Sequence, residues 1–361
     1  MINKFHLVLF IIAIILTIYL LYKLKYKRRI IINDLDSKSL EGFEEPDVAI
    51  QESKSVVAKY NRFNNIQGIK SKFTNMKLKE YCIKSSYNSA CSGDYVSINM
   101  VKEVLKRGCR FLDFEVFHKK ENNVYKPMVA VSSDSEYILL DSKNSILLDS
   151  VLSTIATNAF SQTSPNKTDP IFINLRIKSK DSNVYKAVAK SIAANLKTVA
   201  YGGNITEDTT LQDVMKKVVI IFDKTVEYDY ELYTSCDKGD MGCYDLTKYI
   251  NIESGSEFLN LHHYTDLLNH ASINLEIKKD NLSTTVKNWK MAVPDIILNT
   301  MNPNVNEFIL KHGCQNVLYQ FQLVDDNFIA YEEFFNDMNS GIVPLIATLP
   351  YMTKKAKTTT K

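Results

Sequence analysis

The sequence lacks the patterns by which several protein classes are recognised. Its six cysteines form no CxxC pair, so the usual cysteine pairs of zinc and thiol-redox sites are absent. No internal repeat and no long low-complexity tract is present, so a repeat architecture is not indicated. The formal net charge of +3 is too small to indicate a nucleic-acid partner. What remains is an ordinary globular composition, 45% hydrophobic and 24% charged, in 361 residues.

The longest apolar run lies near the N-terminus, at residues 5–22, and contains no acidic residue and no lysine. A helix needs roughly 20 residues to cross a bilayer core. No small-x-small cleavage site follows the run, which argues against a signal peptide. Five cationic residues lie between Lys23 and Arg29, whereas only Lys4 precedes the run. Because positive charge stays cytoplasmic, the pattern predicts a single-pass membrane protein with its main domain in the cytoplasm.

The cysteines agree with a reducing compartment. Cys236 and Cys243 flank a short polar loop and could form a disulfide if the domain lay outside the cell. We expect two separate thiols instead. Glycosylation sequons begin at Asn166, Asn204 and Asn281, but a chain this rich in Asn, Ser and Thr contains several by chance.

Composition divides the rest of the chain. Residues 30–59 are polar and predict a linker, residues 60–349 have a globular pattern, and residues 350–361 form a basic tail. Within the globular part, residues 225–290 are polar and rich in loop formers, which predicts an insertion.

Short apolar runs, several with consecutive β-branched residues, alternate with segments of helical spacing. The predicted strands are 111–117, 128–131, 171–175, 218–222, 317–321 and 342–347. The predicted helices are 96–107, 147–160, 182–198 and 209–217. This alternation favours a parallel α/β fold, with a barrel as the leading option.

Residues 83–117 carry a more specific signal. Residues 85–88 (SSYN) are followed by Gly93 in a polar loop, a predicted helix, and residues 108–110 (GCR). The next strand carries Asp113 and Glu115, two acids that face the same side because strand side chains alternate. This order and spacing resemble the opening of the catalytic X region of phosphoinositide-specific phospholipase C.

The resemblance extends over residues 76–224, and residues 312–315 (HGCQ) begin a match to the family's later Y region, over residues 299–349. It implies a distorted TIM-type barrel of the phospholipase C type, with its site at the carboxyl ends of the strands. It also implies that Lys224 is one of the phosphate-binding lysines.

In that family two histidines move protons, one beside the attacking 2-hydroxyl and one at the leaving oxygen. Tyr87 stands at the first histidine position here, and a phenol with a pKa of about 10 is a poor base at neutral pH. Residues 129–133, where the second histidine belongs, contain none. His118, directly after the acidic strand, is the weak substitute that the sequence offers.

The resemblance also implies a Ca²⁺ ion held by an asparagine and acidic side chains. Asn88, Asp113 and Glu115 keep ligand positions, but Arg176 stands where a further acid is expected. A cation there repels Ca²⁺ and can pair with Asp113 or Glu115, or hold a phosphate as in bacterial relatives. We therefore expect no cofactor, although the resemblance itself implies Ca²⁺, and substrate contacts from Asn88, Arg176 and Lys224.

These features predict a membrane-anchored barrel of the phospholipase C type that has lost its hydrolase chemistry. Its partners would be the lipid bilayer and a phosphoinositide, an inositol phosphate or a protein at the barrel mouth. Two alternatives stay open. One is an active phosphodiesterase with a relocated acid or base, such as His118; the other is a structural membrane protein that uses the barrel as a scaffold.

Overall fold

A computed structural model describes residues 46–60, 64–121, 124–179, 181–236, 242–269, 277–278, 283–284, 288–295, 301–348 and 350–351. The predicted membrane span at residues 5–22, its basic flank and the end of the tail lie outside these ranges. Within them, no helix is both long enough and apolar enough to cross a bilayer.

The strands are, in chain order, β1 (Tyr81–Ile83), β2 (Ser85–Ser86), β3 (Phe111–Glu121), β4 (Val124–Ala130), β5 (Ile146–Leu147), β6 (Ile171–Ile177), β7 (Val218–Asp223), β8 (Ile252–Ser254), β9 (Leu259–His263), β10 (Ile277–Lys278), β11 (Ser283–Thr284), β12 (Trp289–Val293), β13 (Asn316–Tyr319) and β14 (Ile342–Pro344). Among the described residues, β2, β3, β6, β7, β8, β9, β12 and β13 form a closed ring of eight parallel strands. The β2–β3 pairing closes the ring, so the predicted barrel is confirmed.

The helices are α1 (Asp47–Lys59), α2 (Ile98–Lys106), α3 (Leu148–Asn158), α4 (Asn183–Leu196), α5 (Glu231–Thr234), α6 (Tyr264–Asn269) and α7 (Asp326–Asp337), with a π-helical segment at Glu307–Lys311. α2 shows how local sequence sets an element. The Ser97 side chain accepts from the Asn99 backbone N–H at its start, and Gly108, with φ +78°, follows its end.

Along β6, the side chains that face the barrel interior are apolar near the start of the strand and polar near its carboxyl end. Phe172 points into the barrel, where its ring packs against Phe111 and Trp289 at centroid distances of 6.3 and 5.5 Å. Asn174 and Arg176 continue the same face towards the carboxyl end of the strand, because side chains two residues apart share a face. The fold therefore fills the floor with aromatic rings and brings charged groups to the mouth.

Two predicted strands lie outside the ring. β4 runs antiparallel to β3 as a hairpin, and β14 pairs antiparallel with β1. Apolar runs identify strands but do not report their direction, which is why both were expected in the parallel sheet. The predicted helix at 209–217 contains only the 3₁₀ turn Gln212–Val214.

Residues 225–290, expected to be an insertion, supply β8 and β9 of the ring. These strands have only three and five residues and carry several polar side chains, so no long apolar run marks them. The end of the expected linker is also structured. It forms α1, whose Glu52 carboxylate accepts from the backbone N–H groups of Asp94 and Tyr95 at 2.9 and 3.0 Å.

Cys236 and Cys243 form a disulfide, with their Cα atoms 5.8 Å apart. The expectation of two separate thiols is therefore wrong. Six residues separate the two cysteines along the chain, and their Cα–Cα distance is in the usual range for a disulfide. The other four cysteines are free and buried.

Candidate functional site

The register of β3 and β6 assembles the site. The two strands are parallel, and Glu115 lies directly beside Arg176. Asn88 follows β2 with φ +41°, a left-handed conformation that asparagine tolerates better than most residues. This turn directs its backbone N–H to Asp113 Oδ2 at 3.0 Å. Residues from three neighbouring strands thus meet at one end of the barrel.

The Arg176 guanidinium lies at the centre of this cluster. Its Nε donates to Asp113 Oδ1 at 3.0 Å, and its Nη2 donates to Asp113 Oδ2 at 2.6 Å and to Asn88 Oδ1 at 2.7 Å. Its Nη1 donates to Glu115 Oε1 at 2.7 Å and to the Tyr87 hydroxyl at 3.0 Å. A guanidinium has five N–H groups, so every donor of Arg176 is used.

The two carboxylates are equally well satisfied. Asp113 is completely buried and also accepts from the Asn174 amide at 2.8 Å. Glu115 is 2% exposed and accepts from the Ser132 backbone N–H at 2.8 Å through Oε2, which also faces the Lys178 ammonium at 3.1 Å. The expected internal ion pair between the arginine and these acids is present.

The electrostatics keep Arg176 charged and Tyr87 neutral. Burial alone lowers the pKa of Arg176, but the adjacent Asp113, with Tyr87 and Glu115, raises this pKa well above its usual value. Burial raises the pKa of Tyr87 far above neutrality, although Arg176 acts in the opposite direction. The phenol therefore contacts the guanidinium, with the Arg176 Cζ atom 4.4 Å from its ring centroid, and is no proton acceptor at neutral pH.

These residues do not fit a Ca²⁺ ion. The guanidinium is hydrogen-bonded to each of the three predicted ligands, so it occupies the space between Asn88, Asp113 and Glu115. Within the described part of the chain, no group of three or more His, Cys, Asp or Glu side chains is placed to hold a metal ion.

His118 does not join this cluster. Asp113 and Glu115 share one face of β3, and His118 has the opposite parity on that strand. Its Nδ1 lies 2.8 Å from Asp181 Oδ2, and its ring packs on Tyr125 with centroids 5.1 Å apart.

Lys224 has other partners too. Its Nζ lies 3.0 Å from Glu253 Oε2 and 4.9 Å from the centroid of the Tyr228 ring. These three residues line an open cavity of about 550 Å³ next to the ends of β7 and β8. Lys224 therefore lies at the carboxyl end of β7 and pairs with Glu253.

Sequence reasoning missed Lys178. It lies two residues after Arg176, so it extends the polar face of β6 to the mouth, and it donates to the Ser132 carbonyl at 2.7 Å. Burial lowers its pKa despite the nearby Glu115. The alternation that predicted the faces of Asp113 and Glu115 applies equally to Lys178 and is the signal that could have found it.

A closed parallel barrel with polar side chains at the carboxyl ends of its strands has the architecture of the TIM-type barrel enzymes. Residues 74–225 match the profile of the family described as phosphatidylinositol-specific phospholipase C, X domain. Over these residues, which are less than half of the chain, the protein is similar to that X domain. A search of curated proteins finds no relative that matches.

Solved structures share the fold. The phospholipase C PLC21 of L. pealei superposes with a TM-score of 0.53 at 16% identity, covering 75% of this chain and 37% of that one. PLC21 of S. officinalis gives 0.50 at 16% identity, with the same coverage of 75% and 37%. A calcium-dependent phosphoinositol-specific phospholipase C from Pseudomonas sp gives 0.44 at 12% identity, covering 76% of this chain and 98% of that one. The chain thus spans little more than a third of the two PLC21 proteins.

Proposed function

We propose that this chain is a membrane-tethered member of the phospholipase C-like superfamily that binds an inositol phosphate headgroup without cleaving it. The observation that carries the proposal is the Arg176 guanidinium, which uses all five donors within the site and occupies the space between the predicted metal ligands. Residues 5–22 would provide the tether to the bilayer.

The absence of turnover follows from the proton transfers that the family's reaction requires. Each general acid or base typically contributes about 10²–10⁴-fold to the rate, so the loss of both lowers it by on the order of 10⁴-fold or more. Tyr87 accepts a hydrogen bond from Arg176 and has a raised pKa, so it cannot replace a neutral histidine. His118 lies on the opposite face of β3 and pairs with Asp181.

Binding is supported by two observations. Residues 74–225 match the X domain of a family described as specific for phosphatidylinositol. The carboxyl ends of its strands also present the ammonium groups of Lys178 and Lys224, which suit a phosphate-bearing ligand. Both lysines keep carboxylate partners, so we expect moderate affinity and a requirement for contacts to the inositol ring.

The first test measures inositol phosphate release from phosphatidylinositol by the full-length chain in nanodiscs, with and without Ca²⁺. We expect no release above the protein-free blank in either condition. A Tyr87→His, Arg176→Glu double variant serves as a comparison, because it restores two features of the family pattern. Robust wild-type turnover that disappears on His118→Ala would contradict the proposal and establish the alternative of a relocated histidine.

The second test measures binding of inositol 1-phosphate by calorimetry, with myo-inositol as the control that lacks phosphate. We expect saturable binding of inositol 1-phosphate at least about tenfold tighter than that of myo-inositol, because a charge-assisted hydrogen bond contributes about that factor. Absence of binding to both compounds would leave only a scaffold role and would overturn the proposed binding function.

A further inference from the structure

The cationic side chains at the barrel mouth differ in how many of their hydrogen-bond donors are without a partner in the site. Arg176 has none, since its five N–H groups bond to Asp113, Glu115, Tyr87 and Asn88. An anion that reached it would first have to break one of these bonds, each of them to a buried or half-buried partner. Arg176 therefore holds the mouth together and is poorly placed to receive a ligand.

Lys178 is different. Its ammonium has three hydrogens, of which one is donated to the Ser132 carbonyl at 2.7 Å and one faces Glu115 Oε2 at 3.1 Å. Among the described residues, the third has no hydrogen-bond partner in the site. The Lys178 side chain is 14% exposed, so solvent reaches part of it.

The charge of Lys178 is also only partly compensated. The carboxylate that pairs with it, Glu115, is shared with Arg176, which binds Oε1 of the same group at 2.7 Å. Burial lowers the pKa of Lys178, and the nearby Arg176 acts in the same direction. An incoming anion would supply the missing negative charge.

We propose that Lys178 is the group that contacts the phosphate of a ligand at the barrel mouth, while Arg176 positions the surrounding side chains. This inference rests on the proposed headgroup binding and assigns it to a particular residue. The chemistry recognised is a phosphate ester, which either a lipid headgroup or a soluble inositol phosphate could supply.

The mutational test uses the full-length chain in nanodiscs and compares Lys178→Met, Lys178→Arg and the control Lys190→Met. Lys190 lies on the exposed face of α4. We expect Lys178→Met to weaken binding of inositol 1-phosphate at least about tenfold, because a hydrogen bond between charged groups is lost. Lys178→Arg should remain within about threefold of the wild type, and Lys190→Met should be unchanged.

Two further arms distinguish the source of the phosphate. Nanodiscs with phosphatidylinositol, compared with phosphatidylcholine alone, should compete with inositol 1-phosphate if the ligand is a lipid headgroup. Inorganic phosphate should compete if the phosphate alone is recognised. Competition by phosphatidylinositol or by inorganic phosphate supports the assignment of Lys178 only when the Lys178→Met substitution weakens that competition.

A labelling experiment does not depend on how the variants fold. The Lys178 side chain is partly exposed, and a phosphate bound to its ammonium would cover it, so its reaction with an amine acylating reagent reports occupancy of the site. We expect inositol 1-phosphate to reduce acylation of Lys178 at least about threefold and to leave Lys190 unaffected. Unchanged labelling and unchanged affinity of Lys178→Met, in a wild type that binds the ligand, would overturn this assignment alone. A wild type that binds no phosphate ester would overturn the proposed function as well.

Discussion

Arg176 shows that the identity of a residue at a site position does not define its role. An arginine in place of a metal can either hold a phosphate or neutralise the carboxylates that the metal would have bound. The number of unused donors separates these roles, and Arg176 has none, since all five N–H groups bond within the site. We therefore assign it the second role.

This role predicts the effect of removing the guanidinium. Arg176→Gln leaves the buried Asp113 without its cationic partner and Glu115 with Lys178 alone. Breaking a buried ion pair from one side destabilises a protein by about 3–5 kcal/mol, because the remaining charge is uncompensated. We expect a loss of this size in urea unfolding of the variant, and partial recovery on adding Ca²⁺, since the three oxygen ligands become available.

The matched control is Lys190→Gln, an exposed position at which we expect a change within about 0.5 kcal/mol. Ca²⁺ should not stabilise the wild type. Equal stabilisation of wild type and Arg176→Gln by Ca²⁺ would show that the ion binds elsewhere, and a stable variant would show that the pair contributes little.

At the scale of strands, the sequence predicted which residues form the site better than it predicted the number and direction of the strands. Period-two alternation placed Asp113 and Glu115 on one face, and both contact Arg176 as a result. The motif also predicted that Tyr87 and Asn88 would join them, and they do. Alternation carries no information on strand direction, so the antiparallel direction of β4 could not be predicted. The short polar strands β8 and β9 have no long apolar run, so they could not be predicted either.

The opposite end of the barrel depends on a buried ion pair that links α7 to β1 and β2. Glu332 Oε1 lies 2.8 Å from the Nζ of Lys84, and Oε2 lies 3.8 Å from Arg107. Lys84 is completely buried and Glu332 is 3% exposed. We predict that Glu332→Gln destabilises the domain by about 3–5 kcal/mol in urea unfolding, since the buried ammonium loses its counter-charge.

The comparison for this prediction is Asp326→Asn on the exposed first turn of the same helix, where only the interaction with the helix dipole changes. We expect less than about 1 kcal/mol there. Equal effects of the two substitutions would mean that α7 is held by its apolar face and not by Glu332.

For the whole molecule, two features indicate different compartments. The basic residues after the predicted span predict a cytoplasmic domain by the positive-inside rule. The disulfide between Cys236 and Cys243 is a bond that cytoplasmic reductants normally keep open. Five cations on one side of the span against one on the other is a strong bias, and it acts while the chain inserts, before the domain folds. We therefore keep the cytoplasmic orientation as our proposal and use the disulfide to test it.

If the domain lies in the cytoplasm, as proposed, we predict that cellular reductants keep the Cys236–Cys243 disulfide open, and that it closes, as in the structure, when the purified protein meets air. Alkylation in intact cells, followed by mass spectrometry, should label both residues, whereas the same treatment of air-oxidised protein should label neither.

Asn204 gives an independent readout of the orientation, because it is exposed and begins a glycosylation sequon. Asn166 is not suitable, because it is buried and bonded to Gly108 and Arg110, so the folded domain has no room for a glycan there. We expect Asn204 to stay unmodified in a eukaryotic membrane system. A glycan on Asn204, or a disulfide that is already closed in intact cells, would place the domain on the other side of the membrane and reverse the proposed orientation.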